Sequence, residues 1–296
     1  MARWLEISAD YACNNRCVGC FSVADGGPSM DGRELTEQLR AGRAAGAEWL
    51  WLGGGEPTMR RDLFAIVRAA RKLGYRRVKL QTNAMMLASP GFAARCADEG
   101  VTEINLSIKG ATAETHDRLA QTPGCFDLML QGVEAWRGRG PLEADVLAYR
   151  SNVDELPAIV RRFFALGVEK FWVWTLSASD SALPEVAAEV PRLADVVRNV
   201  QAAMDLALSP RADFITSLHT PPCTVPASHR GCLFFAADLG LLVANPGGHR
   251  FLLETSPMEG GLYLDGCATC SMRARCGGLR ADYVALHGDA EFRPVP

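Results

Sequence analysis

The chain has 296 residues, and its 31 lysines and arginines against 34 aspartates and glutamates give a formal net charge of -3. This balance, without any basic run, argues against nucleic acid as a partner, because a phosphate backbone is held by clustered lysine and arginine. No apolar run reaches the roughly 20 residues of a membrane span, and the N-terminus has no signal-peptide pattern, so we expect a cytoplasmic protein that does not enter a membrane.

Short apolar runs alternate with segments of helical period from residue 3 to about residue 176. This alternation is typical of βα units around a parallel sheet. Six strands are predicted, at residues 4–8, 49–52, 78–82, 103–107, 145–149 and 171–175. Six parallel βα units make an α/β fold, a partial (β/α)6 TIM barrel, in which chemistry sits on the loops that follow the carboxyl ends of the strands.

Helix boundaries are clearest after the second strand, where apolar residues recur at helical spacing between Leu63 and Ala70. Asp62 is expected to cap the start of this helix and Gly74 to end it. The helix after the fifth strand shows the same pattern and is expected to end at Gly167. A further helix is predicted over residues 191–208 from the same spacing.

The amino-acid composition changes after residue 208, where proline, glycine and cysteine become frequent. Two strand-like runs, at residues 239–244 and 250–254, flank an Asn-Pro-Gly-Gly turn and predict a hairpin. We therefore predict two domains, a barrel over residues 1–208 and a small cysteine-rich domain over residues 209–296. So small a segment is expected to need a metal to fold.

The chain has ten cysteines, which in a reducing compartment indicates metal binding or redox chemistry rather than disulfides. Cys13, Cys17 and Cys20 follow the first predicted strand and therefore lie at the catalytic end of the barrel. A structural zinc ion needs four protein ligands, whereas three thiolates on a four-iron cube leave one iron open to a small molecule. The spacing favours the iron–sulfur cluster over zinc.

A C-x3-C-x2-C motif on the loop after the first strand of such a barrel resembles the radical S-adenosylmethionine (SAM) superfamily. The resemblance implies a [4Fe–4S] cluster on the three cysteines that cleaves SAM to start radical chemistry, and a flavodoxin- or ferredoxin-type electron donor. Gly54, Gly55 and Glu56, followed by proline, look like the family's GGEP turn, whose backbone and glutamate hold the SAM amino group. Two glycines and a glutamate alone would indicate only a tight turn.

Polar residues end the next two predicted strands, where the family places contacts to the SAM ribose and carboxylate. Thr82 and Asn83 end the third strand and Ser107 ends the fourth. The resemblance therefore assigns all three to SAM binding. The alternative is that each is a strand-end polar residue that turns the chain into a loop.

The chain departs from the family pattern at two positions. The residue before the third cluster cysteine is often aromatic and packs near the adenine, but here it is Gly19, which leaves Phe21 as the candidate for the adenine contact. Relatives often carry an aspartate two residues after the serine that ends the fourth strand, but here that position is Lys109. This cation is expected to alter contacts to SAM or to the substrate.

The last quarter of the chain contains five more cysteines, Cys223, Cys232, Cys267, Cys270 and Cys276. They resemble the SPASM and shortened twitch appendages of radical SAM enzymes, which carry auxiliary [4Fe–4S] clusters. Five cysteines are enough for one further cluster, which favours the twitch type and two clusters in total. The first choice of ligands is Cys232, Cys267, Cys270 and Cys276, with Cys223 as an alternative ligand or a nearby thiol. A four-thiolate zinc ribbon is the alternative site.

Three further residues are candidates for packing or catalysis. Cys96 is predicted to be a small buried apolar residue in the third helix. Cys125 follows the fourth strand and either donates a hydrogen atom to a substrate radical or packs at a helix start. Arg150 follows the fifth strand. It is a candidate to bind the substrate, by pairing with an anionic group or by polarising a hydroxyl; the alternative is a surface arginine without such a role.

The single-appendage layout looks like the twitch dehydrogenases and epimerases of aminoglycoside and aminocyclitol antibiotic biosynthesis. The resemblance implies an oxidoreductase that abstracts a hydrogen atom from a secondary alcohol carbon of a small molecule and oxidises it to a ketone. Epimerisation of the same substrate class, modification of a ribosomal peptide, and a cofactor-synthesis enzyme whose open auxiliary cluster binds the substrate are the alternatives. A zinc-binding protein without enzymatic activity is a further alternative.

Overall fold

The six predicted strands form one parallel sheet in the computed structural model, which describes residues 2–20, 27–178, 184–256 and 260–296. Each strand pairs with the next along the chain. The strands are β1 Trp4–Ser8, β2 Trp49–Gly53, β3 Arg77–Thr82, β4 Glu103–Ile108, β5 Leu142–Ala148 and β6 Lys170–Thr175. The α/β partial-barrel prediction is confirmed, and the largest boundary error is at β5, which begins three residues before the predicted position.

Helices separate the strands as the βα pattern requires. In the described residues they are α1 Gly32–Ala44, α2 Leu63–Lys72, α3 Phe92–Glu99, α4 Ala113–Ala120, α5 Cys125–Trp136, α6 Leu156–Ala165, α7 Pro184–Glu189, α8 Leu193–Met204, α9 Ala236–Leu239 and α10 Ala281–His287. The helix α8 is shorter at both ends than the predicted span of 191–208. No helix in the described ranges is both long enough and apolar enough to cross a membrane.

The helix α2 ends as predicted but begins differently. Gly74 follows it with a φ of 88°, in the left-handed region that glycine adopts at helix ends. Asp62 occupies the cap position, but its side chain makes no capping hydrogen bond. It accepts two hydrogen bonds of 2.9 Å from Arg60 instead. The ion pair with Arg60 therefore replaces the predicted cap.

The two faces of the sheet bury different side chains. Leu5 and Ile7 of β1 belong to the large apolar core between the sheet and the helices. Trp4 alternates with them and packs with Trp51 and Trp172 in a separate cluster. Because successive side chains of a strand point to opposite faces, this second cluster marks the inner side of the curved sheet, called the lumen below.

The segment after residue 208 adds three strands to the same sheet. They are β7 Ile215–Ser217, parallel to β6, β8 Leu241–Asn245, parallel to β1, and β9 His249–Leu252, antiparallel to β8. The predicted hairpin is therefore present, and its inner strand extends the barrel sheet. Leu241 and Val243 join the tryptophan cluster of the lumen, which explains why β8 docks beside β1. The domain boundary at residue 208 stays a prediction.

Candidate active site

The loop after β1 carries the three predicted cluster ligands, Cys13, Cys17 and Cys20. Two contacts fix its path across the carboxyl end of the barrel. The Val18 backbone N–H donates to the Leu119 carbonyl at 2.9 Å. The hydroxyl of Tyr149, a fully buried residue directly after β5, donates to the Val18 carbonyl at 2.8 Å. The cluster loop is thus held by elements that follow β4 and β5.

The Gly-Gly-Glu turn after β2 lies directly against the chain that leads into Cys13. The Gly55 N–H donates to the Asp10 carbonyl at 2.8 Å, and the Glu56 N–H donates to the Ala12 carbonyl at 2.7 Å. A Cβ on Gly55 would lie 2.1 Å from the Ala12 oxygen, and one on Gly54 would lie 2.4 Å from the Asp10 oxygen. Only glycine permits this approach, so the turn and the cluster loop form one unit.

The Glu56 carboxylate is buried and accepts several hydrogen bonds from its surroundings. The donors are the Thr82 hydroxyl at 2.8 Å, the Asn83 backbone N–H at 2.8 Å, and both the backbone N–H and the hydroxyl of Thr58. Burial raises the pKa of Glu56, and these donors oppose that shift. Glu56 therefore links the end of β3 to the turn after β2. Among the described residues, its Oε2 accepts only the hydrogen bond from the Asn83 backbone N–H.

Asn83 also reaches the cluster loop directly. Its side-chain Nδ2 donates to the Oδ1 of Asn14 at 2.6 Å, and Asn14 lies between the first and second cluster cysteines in the sequence. Its own Oδ1 accepts from the Met85 N–H at 3.1 Å. Thr82 and Asn83 are thus brought to the predicted place at the end of β3, where they position Glu56 and the loop. Their contact to SAM stays a prediction.

Lys109, which the sequence analysis identifies only as a departure from the family pattern, is a component of the site. It is buried, its Nζ donates to the Ser107 hydroxyl at 2.9 Å, and it forms a hydrogen bond with the Cys17 sulfur. Burial lowers the pKa of Lys109, but the neighbouring Cys17 thiol and other acidic groups outweigh this and raise it. A permanent cation therefore lies against the cluster loop.

The half-buried thiols of Cys13 and Cys17 fit a metal-bound state. Burial raises the pKa of Cys13 to about 12 and also raises the pKa of Cys17, so neither sulfur is stable as an isolated thiolate. Iron bound to sulfur removes that penalty and keeps the thiol deprotonated. Within the described ranges no three His, Cys, Asp or Glu side chains converge on one metal-ion position. The assignment rests on the donor chemistry and on the loop that carries it.

The glycine before the third cluster cysteine has a local reason. Gly19 has a φ of 68°, and a Cβ there would lie 2.8 Å from Leu176 Cδ1 and 3.0 Å from Val186 Cγ1. The aromatic residue that relatives often have would collide with both side chains. Phe21, the proposed substitute for the adenine contact, lies outside the described residues.

The two predicted catalytic residues lie in different environments. Arg150 is exposed on the turn after β5, where its backbone N–H donates to the Glu189 carbonyl at 2.7 Å. Cys125 is buried at the start of α5, and its thiol donates to the Asp117 Oδ1 at 3.2 Å. Burial, with Asp117 beside it, raises the pKa of Cys125 to about 12. Catalytic roles for both stay predictions, and Cys96 is confirmed as fully buried in α3.

Four of the five C-terminal cysteines line one cavity of about 110 Å³. They are Cys223, Cys267, Cys270 and Cys276, and the cavity they share is called the auxiliary cavity below. Backbone N–H groups already point at two of the sulfurs, from Gly278 to Cys276 at 3.4 Å and from Val295 to Cys270 at 3.3 Å. Such N–H donors to sulfur are a feature of iron–sulfur sites, where they tune the cluster.

Cys232, the first choice as a ligand, lies elsewhere. It is 1 % exposed and belongs to the large apolar core, and it does not line the auxiliary cavity. The next residue, Leu233, forms a bridge with Ser217 at the end of β7, which directs Cys232 inward. Cys223 therefore takes the place of Cys232 in the set of candidate ligands, because the fold brings Cys223 to the other three.

Known proteins resemble the chain first of all in the barrel. The model of the Radical SAM superfamily matches residues 10–163, more than half of the chain. A probable GTP 3',8-cyclase of Saccharolobus islandicus is 28% identical over 170 residues, or 56% of this chain and 54% of that protein. An AdoMet-dependent heme synthase of Methanosarcina barkeri is 32% identical over 170 residues, which are 55% of this chain and 48% of that protein. The chain thus spans about half the length of the curated relatives it matches.

Solved structures match over almost the whole chain. Streptococcus suis SuiB bound to the precursor peptide SuiA has a TM-score of 0.72 at 14% identity, over 99% of this chain and 75% of SuiB. The protein anSMEcpe with bound AdoMet and the Cp18Cys peptide has a TM-score of 0.63 at 12% identity, over 99% of this chain and 92% of the anSMEcpe chain. At such identities the likeness concerns the fold alone.

Proposed function

The chain belongs to the radical SAM superfamily, and from this membership we propose that it is an oxidoreductase that converts a secondary alcohol of a small aminocyclitol-like substrate into a ketone. As a radical SAM enzyme it uses a [4Fe–4S] cluster and SAM. Cys13, Cys17 and Cys20 would hold this cluster, and the turn that contains Glu56 would receive the SAM amino group. A second cluster, the twitch-type domain and the oxidation are parts of the proposal.

The observation that carries the proposal is the auxiliary cavity. Its four cysteines equal in number the ligands that a fully protein-ligated cube needs, whereas three would leave one iron open to bind substrate directly. A fully protein-ligated cluster suits electron transfer. This argues for an oxidation and against the alternative in which the second cluster binds the substrate.

The chemistry that the bound groups supply is a 5′-deoxyadenosyl radical from the first cluster with SAM, and an acceptor for one electron at the second cluster. Together these groups would remove one hydrogen atom from the carbinol carbon and then one electron and the hydroxyl proton, which converts the alcohol into a ketone. The products are a ketone, 5′-deoxyadenosine and methionine. A flavodoxin- or ferredoxin-type protein is the proposed source of the electron that starts each turnover.

The protein's own contribution is to bind, orient and exclude water. Tyr149 and Lys109 are both buried at the carboxyl end of the barrel and close it on the side of β4 and β5. Arg150 follows Tyr149 on the turn after β5 and remains the proposed contact to a substrate hydroxyl. Closure of this kind keeps stray hydrogen donors away from a radical.

The test is anaerobic turnover with a panel of aminocyclitols, in ordinary and in deuterated water. We expect a product that is two mass units lighter than the substrate, with one 5′-deoxyadenosine per turnover. A product of unchanged mass that gains one carbon-bound deuteron in deuterated water would replace the oxidation by epimerisation. If the protein converts a peptide and none of the cyclitols, the proposed substrate class is wrong.

A further inference from the structure

The two cysteine groups are joined by one set of packed apolar side chains, called the bridging core below. Its buried members include Tyr149 and Leu176 of the barrel and Tyr283 of α10. Two half-buried residues pack against it: Val18, which lies between the second and third cluster cysteines, and Phe292, which lines the auxiliary cavity. The two candidate metal sites therefore share one region of packing.

Leu176, the first residue after β6, is the member of the bridging core that contacts the cluster loop. It is 1 % exposed. A Cβ on Gly19 would lie 2.8 Å from Leu176 Cδ1, so the loop packs directly against this side chain. The position of Leu176 therefore helps to fix the main chain next to Cys20.

The main chain of Leu176 is held in turn by Arg280, the residue that precedes α10. Its guanidinium donates to the Thr175 carbonyl at 2.9 Å through Nη1 and to the Leu176 carbonyl at 3.3 Å through Nη2. The side chain of Arg280 is only 8 % exposed. Buried carbonyls need donors, and at the end of β6 the C-terminal segment supplies them.

Asp282 completes a clamp around the same stretch of chain. Nη2 and Nε of Arg280 donate to its two carboxylate oxygens, at 2.6 Å and 3.2 Å. The carboxylate also accepts from the Ser177 hydroxyl and from the Ala178 N–H, each at 2.9 Å. A guanidinium held by such a two-pronged ion pair has a fixed orientation. One ion pair thus holds residues 175–178 in place.

The clamp lies directly beside the auxiliary cavity in the sequence. Cys276 and Leu279 both line the cavity, and Arg280 is the next residue along the chain. Main-chain hydrogen bonds of 2.7 Å and 3.1 Å join Leu279 to Leu262 and fix this segment. A short series of contacts therefore runs from Cys276 through Arg280 and Leu176 to the cluster loop.

We propose that Arg280 is a positioning residue for both cysteine groups. It holds Leu176 against Gly19 and also fixes the segment that carries Cys276. Loss of Arg280 would release the main chain after β6, at the end of the barrel where substrates of such folds bind. The consequence for the oxidation rests on the proposed function, whereas the ordering of the cluster loop does not.

The experiment compares hydrogen–deuterium exchange of the wild-type protein and of Arg280→Met. Both are loaded with iron and sulfide and are kept anaerobic, without SAM. Exchange should become roughly tenfold faster in residues 175–178 and also in residues 13–20, because charge-assisted hydrogen bonds of the clamp are lost. Exchange in β2, which is remote from the clamp, should keep the wild-type rate.

Two further variants make the comparison specific. Arg198→Met is the matched control, because Arg198 also pairs with two carboxylates but its side chain is 62 % exposed on α8. It should change exchange in neither segment. Arg280→Lys keeps the charge but cannot form the full set of fork contacts, so exchange should rise roughly threefold in both segments. This variant decides the question if Arg280→Met does not fold, which melting temperature and cluster absorbance show.

Unchanged exchange in residues 13–20, or exchange that rises evenly through the barrel including β2, would overturn the positioning role. With a converted aminocyclitol, the wild-type protein should use about one 5′-deoxyadenosine per ketone and Arg280→Met roughly ten, because a loosened chain after β6 admits other hydrogen donors. An unchanged ratio would overturn the role in the oxidation. A wild-type protein that forms no ketone counts against the proposed function alone, because the exchange pattern then decides the role of Arg280.

Discussion

The two cysteine groups of this protein are built in different ways. Cys13, Cys17 and Cys20 lie on one short loop that is hydrogen-bonded to the ends of β3, α4 and β5 and to the turn after β2. The auxiliary cavity joins Cys223 to a segment that begins at Cys267, and its walls are short turns rather than strands. The barrel elements position the first group, whereas the proposed second cluster would supply much of the order of the auxiliary cavity.

This difference predicts which changes each group tolerates. The first group should lose function through changes in the barrel loops that contain no cysteine at all. The second should respond mainly to loss of its own ligands, because few regular elements support it. Four experiments test this contrast.

The largest effect is expected from replacing all three cysteines of the first group by alanine. Iron and sulfide should fall from about eight to about four per chain, since one four-iron cube is lost and the other remains. SAM cleavage under reducing conditions should disappear. The measurements are iron and sulfide content and 5′-deoxyadenosine formation. A triple variant that still cleaves SAM would contradict the assignment of the first cluster.

The second comparison sets Cys223→Ser against Cys232→Ser. Cys223 lines the auxiliary cavity, so its loss should remove most of the second cluster and the substrate oxidation while SAM cleavage persists. Cys232 lies in the apolar core, so the variant should keep about eight irons and lose roughly 1–3 kcal/mol of stability from a buried hydroxyl. The opposite pattern of iron contents would restore Cys232 as the ligand.

The third experiment breaks the first site without touching a ligand. Gly55→Ala places a methyl group 2.1 Å from the Ala12 carbonyl oxygen and must push the cluster loop away. We expect more than a tenfold loss of SAM cleavage and roughly 1–3 kcal/mol of destabilisation, typical of overpacking. Gly32→Ala is the control, because nothing lies within 4 Å of a Cβ at that position. Equal behaviour of the two variants in SAM cleavage and thermal unfolding would show that the close approach is unimportant.

The smallest effect is expected for Glu56→Gln, which keeps the shape of the side chain but removes its charge. SAM affinity should fall by about tenfold, because a charge-assisted hydrogen bond to the SAM amino group is weakened. Both clusters should still assemble, because Glu56 supplies no ligand. Anaerobic calorimetry with SAM and iron analysis give the two quantities. Unchanged affinity would remove Glu56 from SAM binding.

Much of the barrel could be predicted because its signals are local. The period-two and helical patterns placed β1 at the residues where the structure has it. β5 begins before its predicted position. Its first residues include Glu143, which lies in the lumen, so they do not form the apolar run that predicts a strand. The cap of α2 also differs from the prediction, because Asp62 pairs with Arg60, two residues before it, and Arg60 is in turn bound by Asp10, 50 positions away.

The sequence by itself determined the first cysteine group, because its spacing and its place after β1 fall within one short segment. The sequence favours Cys232 over Cys223 as a ligand, and only the tertiary structure shows that Cys223 lines the auxiliary cavity while Cys232 lies in the apolar core. The same holds for Lys79 and Glu143, which are 64 positions apart in the sequence and form an ion pair only because the folded sheet brings β3 and β5 close together. Local chemistry can be read from spacing, whereas burial and charge balance arise only when distant segments pack together.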